Sequence, residues 1–240
     1  EAVAEFEAAL ALRGDADCLR NLGEIFIEQK NTAEAVRRLE AACERSPGAR
    51  AIARELGKAY LATREFRKAA ILLENAVKEL PGSWSDVRDY VACQELLLTT
   101  LRAEDTDRPR IQALGELVRE LTGRVKQTPR SLAAKIDDYV DETISAGKAE
   151  KLDDLPAYDD RFNGLARLRL ANTSASDAFI YVSGPLSFQS TLKAGPGKAT
   201  DVELVPGHYR VVLNIVTAGK TRTFAGRLRL EPGRWLGLGL

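Results

Sequence analysis

Residues 19–47 read LRNLGEIFIEQKNTAEAVRRLEAACERSP and residues 53–81 read ARELGKAYLATREFRKAAILLENAVKELP. Leu22-Gly23, Phe26, Ala35, Leu39, Ala42 and Pro47 of the first stretch recur as Leu56-Gly57, Tyr60, Ala69, Leu73, Ala76 and Pro81 of the second. Each pair is 34 residues apart, and a shared period at seven positions marks a duplicated structural unit. Leu22 and Phe26 share one helix face at four-residue spacing, and Gly23, having no side chain, admits a neighbouring helix. Ala35, Leu39 and Ala42 form a small-large-small stripe that receives that neighbour, so each unit reads as an antiparallel pair of helices. Pro47 and Pro81 cannot continue a helix and set the turn into the next unit, with Gly48 and Gly82 beside them.

This pattern resembles the tetratricopeptide repeat, a helical hairpin with fixed large and small positions and a closing proline. Outward from it, Ala2, Phe6 and Ala9 read as the second helix of a preceding repeat. Trp84, Tyr90 and the run around Leu96 read as the first helix of a third, with Val91 in the slot held by Gly23 and Gly57. Its partner helix is expected near 109–125, after the polar break Glu104-Asp105-Thr106-Asp107, and closes the array as a divergent cap. The chain contains no methionine and begins inside a helical pattern, which leads us to expect its natural start to lie upstream.

Beyond residue 127 a helix is expected from Ser131 to Ala146, capped by Gly147, followed by an acidic, polar linker to residue 163. From Leu165 the sequence alternates apolar and polar residues between glycine and proline turns. Strands are expected near 165–171, 178–183, 186–192, 200–205, 208–216, 221–230 and 234–240, forming a small antiparallel β-sandwich. The stretch Val202-Glu203-Leu204-Val205-Pro206-Gly207-His208-Tyr209-Arg210-Val211 resembles the proline-glycine hairpin of PEGA-type envelope β-domains. The expected order is therefore a helical repeat array over 1–127, a helix and acidic linker over 128–163, and a β-sandwich over 164–240.

Thirty-five basic residues balance thirty-five acidic ones, so the whole chain presents no net field to nucleic acid. The balance is uneven: 10 basic and 4 acidic residues fall within 164–240. Arg167 with Arg169, and Arg227 with Arg229, alternate with leucines, giving the β-domain a basic face suited to contact with an anionic surface. Aromatic interleaving for base stacking is missing, and no apolar run reaches the length of a membrane-spanning helix. Cys18, Cys43 and Cys93, with no CxxC spacing, read as buried thiols.

The residue types that carry catalysis are sparse. His208 is the single histidine and follows a turn. Ser187 and Ser190 lack a nucleophile elbow, and the glycines of 194–198 sit between strands rather than before a helix. Asp137, Asp138, Asp141 and Glu142 lack the loop spacing of a calcium hand and read as solvated helix surface. No cofactor or metal and no enzymatic activity are expected.

Arg20, Arg54 and Arg88 stand 34 residues apart. In the family that the repeat resembles, the first helix of each hairpin lines a concave groove, and these arginines fall there, three residues before Gly23, Gly57 and Val91. With Glu24 and Lys58 they are the expected partner-binding residues, since a guanidinium grips a carboxylate through two parallel hydrogen bonds. Glu24, Glu55 and Asp89 lie close enough to neutralise them within the array. Chaperone-tail-binding members carry lysine and asparagine where this chain has Arg20 and Glu24. The expected function is a protein-binding adaptor. Two alternatives are a regulatory or anchoring segment of a larger bacterial kinase or protease, and an envelope structural subunit. An envelope or periplasmic location is favoured over the cytoplasm.

Overall fold

A computed structural model describes residues 5–6, 15–105, 107–127, 130–153, 155, 157–159, 164–195 and 199–239. Of Ala2, Phe6 and Ala9, only Phe6 lies within them, in helical conformation. Seven helices are described after it: α1 (Ala16–Glu28), α2 (Thr32–Arg45), α3 (Arg50–Ala62), α4 (Phe66–Ala76), α5 (Trp84–Glu104), α6 (Arg108–Gln127) and α7 (Arg130–Ser145). The chain forms two compact units: Glu1–Glu79 with Asp89–Gly115, and Leu80–Arg88 with Glu116–Leu240.

The first unit is an array of helical hairpins. Helix α1 begins at Asp15, whose carboxylate accepts from the Cys18 amide, and α2 begins at Asn31, which accepts from the Glu34 amide. Both hairpins turn the same way. Lys30 (φ 59°) and Arg64 (φ 60°) adopt the left-handed conformation, and the amides of Asn31 and Glu65 reach back to the carbonyls of Phe26 and Tyr60. That six-to-one closure satisfies the last carbonyls of the first helix and reverses the chain.

The core of the array follows the repeat. Leu39 and Leu73 are fully buried, and each lies over the glycine of the preceding helix. A Cβ on Gly23 would come within 2.4 Å of Leu39 Cγ, and one on Gly57 within 3.0 Å of a Leu73 methyl. Ala53, Leu56, Tyr60, Ala69, Leu73 and Ala76 join Cys93, Leu97 and Leu101 of α5 in one apolar cluster, flanked by Ile111 and Leu114. The third hairpin leaves the 34-residue register because α5 runs on to Glu104, so the residue 34 after Leu73 is Asp107, in the turn. Val91 accordingly fills the glycine slot and is buried.

In the second unit the described strands are β1 (Glu150–Lys151), β2 (Ala157–Asp159), β3 (Ala166–Ala171), β4 (Ala178–Ser183), β5 (Phe188–Leu192), β6 (Ala199–Leu204), β7 (Gly207–Thr217), β8 (Lys220–Leu230) and β9 (Arg234–Gly239). All seven expected strands form, and the linker adds β1 and β2. They make a five-stranded sheet, β1-β8-β7-β4-β5, and a four-stranded sheet, β2-β9-β3-β6. The sheets are mixed rather than purely antiparallel, because β1 runs parallel to β8 and β3 parallel to β9. Period-two burial is clear in β3, where Ala166, Leu168 and Leu170 are buried, and in β4, where Ala178, Ile180 and Val182 are.

The Pro206-Gly207 pair is not a hairpin turn. β6 pairs with β3 and β7 pairs with β4 and β8, so this pair carries the chain from one sheet to the other. Gly207 is required by close approach: a Cβ there would meet Pro185 at 2.5 Å and the Pro81 carbonyl at 2.7 Å. The crossing is pinned by Tyr209, whose buried hydroxyl donates to the Val205 carbonyl at 2.7 Å, and by the His208 amide, which donates to the Pro81 carbonyl.

Helix α7 is not a free linker. Ile136 and Val140 pack on Val212 of β7, with Tyr139 against Tyr181, and the Tyr139 hydroxyl accepts from the Asn214 side-chain amide at 2.8 Å. Two residues read as solvated helix surface tie it down: Asp137 accepts from Ser187 at 2.8 Å, and Asp141 pairs with Arg210. Gly147 (φ 65°) follows the helix end as expected.

Candidate functional site

The first helices of the hairpins, α1 and α3, carry a laced set of charges. Arg20 reaches Glu24 at 3.0 Å and Asp17 at 3.6 Å, one helical turn to either side. Arg54 donates from Nε to Glu55 at 2.8 Å and from its terminal nitrogen to Asp89 of α5. Lys58 closes the set, with Nζ 2.9 Å from both Glu55 oxygens. Glu55 is 5% exposed, so its charge is held by these two cations rather than by water. Burial alone would pull the Arg54 guanidinium down, but Glu55 and Asp89, with Glu24 beyond, more than offset this and raise it.

The expected residues thus come together in part. Arg20, Glu24, Arg54 and Lys58 all lie in the first unit, in two bonded sets: Arg20 with Glu24, and Arg54 and Lys58 meeting at Glu55 with Asp89 on Arg54, while Glu24 acts on Arg54 through space. Arg88 belongs to the second unit, where it is exposed and sits 5.4 Å from the Trp84 ring centre, with Arg130 at 5.9 Å from the same ring. Asp89, adjacent in sequence to Arg88, serves Arg54 instead. That crossing of partners depends on how successive hairpins stack, which spacing along the chain does not reveal.

Sequence reasoning missed a second set in the array. Arg50 donates to the Ala76 carbonyl at 2.9 Å and to that of Glu79, and lies 5.4 Å from the Tyr90 ring centre, so it caps the end of α4. Tyr60, at the large position of its repeat, donates to Glu40 at 2.7 Å, and burial together with that carboxylate raises its phenol well above the ordinary range. Among the described residues, no group of three or more His, Cys, Asp or Glu is placed to hold a metal ion, and no helix is long and apolar enough to cross a membrane. Cys93 is buried, whereas Cys18 and Cys43 are half-buried.

In the second unit the two arginine pairs have different surroundings. Arg167 and Arg169 stand opposite Glu203 and Asp201 across β3 and β6; Arg169 makes two hydrogen bonds to Asp201, at 2.7 and 2.8 Å, and lies 4.8 Å from the Trp235 ring centre. Glu203 also pairs with Arg124 of α6. Arg227 and Arg229 of β8 stand instead opposite Arg210 and His208 of β7.

Residues 26–93 match the family described as tetratricopeptide repeat. Among solved structures, the nearly identical TPR-like repeats of a Podosopora anserina protein assigned as a kinesin light chain are similar, with 22% identity over 52% of this chain and 68% of that one and a TM-score of 0.40. A point variant of the same repeats aligns with 21% identity, the same coverage and the same TM-score. No curated protein matches the chain.

Proposed function

We propose that this chain is a non-enzymatic scaffold whose protein partner docks on the first-helix face of the repeat array, around Arg20, Glu24, Arg54 and Lys58. The observation that carries this is the pair of charged sets on the first helices, Arg20 with Glu24 and Arg54 and Lys58 with Glu55. Glu24 and Lys58 keep 36% and 46% of their side chains exposed, while Arg54 and Glu55 are fixed behind them. A partner presenting both signs of charge can re-pair with the outer members without unpaired charges being left below. An acidic peptide alone would have to displace Glu24 or Asp89, so mixed-charge partners are favoured over purely acidic ones. Stacked hairpins suit this role because each adds contact area without a reaction centre.

The test uses the intact chain, immobilised and exposed to extract of its own source. Lys58→Glu and Glu24→Lys should each reduce recovery of the same protein about fivefold or more, as rim and near-rim charge reversals do. Arg37→Glu, on the second helix of the hairpin, α2, where the side chain is 70% exposed, should leave recovery unchanged. Recovery indifferent to all three changes would discard the face. A second reading is favoured by the charge excess of 164–240: the β-unit meets an anionic group through its basic side.

A further inference from the structure

We propose that His208, Arg210, Arg227 and Arg229 form a binding site for the phosphate group of a phosphomonoester. The register of β7 and β8 puts His208 directly opposite Arg229 and Arg210 directly opposite Arg227. All four side chains leave the same face of the sheet, the one whose next rung, Val212 opposite Ala225, is covered by α7. The Arg210–Arg227 rung sets two guanidinium groups face to face, which works against strand pairing, so this arrangement costs stability unless something negative is placed between them.

The same unit shows how such a cost is otherwise avoided. On β3, Arg167 and Arg169 are answered across the rung by Glu203 and Asp201. On β8 the answer is incomplete. Arg210 is held by Asp141 and donates to the buried Ser183 hydroxyl at 2.8 Å, and Arg229 meets Glu231 at 3.5 Å. Among the described residues no carboxylate pairs with Arg227. Among the described residues these three guanidinium groups have only Asp141 and Glu231 for carboxylate partners, and Glu231 is shared with Arg234 as well.

These residues line an open cleft of about 350 Å³, floored by the strands and bordered by Gly82. That is room for a phosphate with a few further heavy atoms, at the small end of ligand sites. The planar fork of a guanidinium matches two phosphate oxygens at once, and Arg210, fixed by Asp141 and Ser183, supplies one fork already oriented. A dianionic oxyanion between Arg210, Arg227 and Arg229 would relieve the like-charge Arg210–Arg227 rung and answer Arg229 beside it. A carboxylate, with one charge and two oxygens, would relieve fewer contacts.

The proposal narrows the anionic-contact reading of the β-unit and is independent of the helical face, whose variants Lys58→Glu and Glu24→Lys report on it separately. The test is isothermal calorimetry on the intact chain with inorganic phosphate, with glycerol 3-phosphate, with acetate, and with vesicles containing phosphatidic acid. Saturable binding of inorganic phosphate and glycerol 3-phosphate is expected, about tenfold weaker in Arg227→Gln and in Arg229→Gln, both exposed and so compatible with an unchanged circular dichroism spectrum. Lys193→Gln, at an exposed pair with Asp177, should bind as the unaltered chain does. No saturation with inorganic phosphate, equal binding by both arginine variants, equal affinity for acetate, or binding to the vesicles alone would each overturn the proposal.

Discussion

Gly23 lies under Leu39 so closely that a Cβ on the glycine would fall 2.4 Å from Leu39 Cγ, 2.7 Å from one of its methyl carbons and 3.0 Å from the other. Leu39 is fully buried, and the contact lies at the branch of its side chain, where a change of rotamer gives little relief. Gly57 and Leu73 repeat the relationship with more room, at 3.0, 3.3 and 3.4 Å.

The difference between these two sites is measurable. Gly→Ala within a helix gains about 0.8–1 kcal/mol from backbone entropy, whereas overpacking a core costs about 1–3 kcal/mol. At Gly23 the clash wins, so Gly23→Ala should lower stability by about 1–2 kcal/mol in chemical denaturation. At Gly57 the terms nearly cancel, and Gly57→Ala should change stability by less than about 0.5 kcal/mol. The opposite ranking would show that the hairpins do not close in this way.

Alkaline conditions should loosen the array through Cys93. Burial first, and then the Asp89 carboxylate, push this thiol up to about 12 from an ordinary 9.0. The unfolded chain therefore loses the proton at lower pH than the folded one, so stability is retained below about pH 9 and declines as pH rises from there towards 12. Tyr60 and Tyr90, both raised first by burial, act in the same direction from about pH 10 upward, and Tyr209 does the same for the second unit. Cys93→Ala should flatten the decline of denaturation midpoint between pH 8.5 and about 10 while lowering the midpoint at neutral pH. Native Cys93 should also resist thiol reagents at pH 8 while Cys18, which is half-buried, reacts.

Tyr209 reports on the second unit alone. Its hydroxyl is the partner of the Val205 carbonyl at the crossing between sheets, and removing it leaves a buried acceptor unpaired. Tyr209→Phe should cost about 1–3 kcal/mol, seen as earlier loss of the β-sheet signal with no change in the Cys93 labelling rate.

The helical half was legible because its signal is local and repeated. Leu22, Gly23, Leu39 and their counterparts recur with one period, which marks a glycine open to a neighbouring helix and an Ala-Leu-Ala stripe that receives it; that Leu39 itself lies over Gly23 is what the structure adds. The hairpin turns were less visible, because Lys30 and Arg64 adopt positive φ without glycine. Arg88 shows where periodicity misleads: it keeps the 34-residue spacing but joins the other unit. In the β-unit the strands could be read from alternation but not their neighbours. Pro206-Gly207 has the chemistry of a hairpin, yet the strands it joins pair elsewhere, and strand order is a non-local property. For the same reason Arg167 and Arg227 look equivalent in sequence, although only the register reveals an acidic rung beside one and a basic rung beside the other.

The scaffold reading is tested most directly by site-specific photocrosslinking in the cell that makes the protein. A photoreactive side chain placed at Lys58, on the first-helix face, should yield a discrete adduct with one protein partner, and the adduct should fade when Glu24→Lys is added. The same group at Arg37, on the second helix of the hairpin, should yield none. Adducts of equal strength from both positions, or none from position 58, would contradict the account.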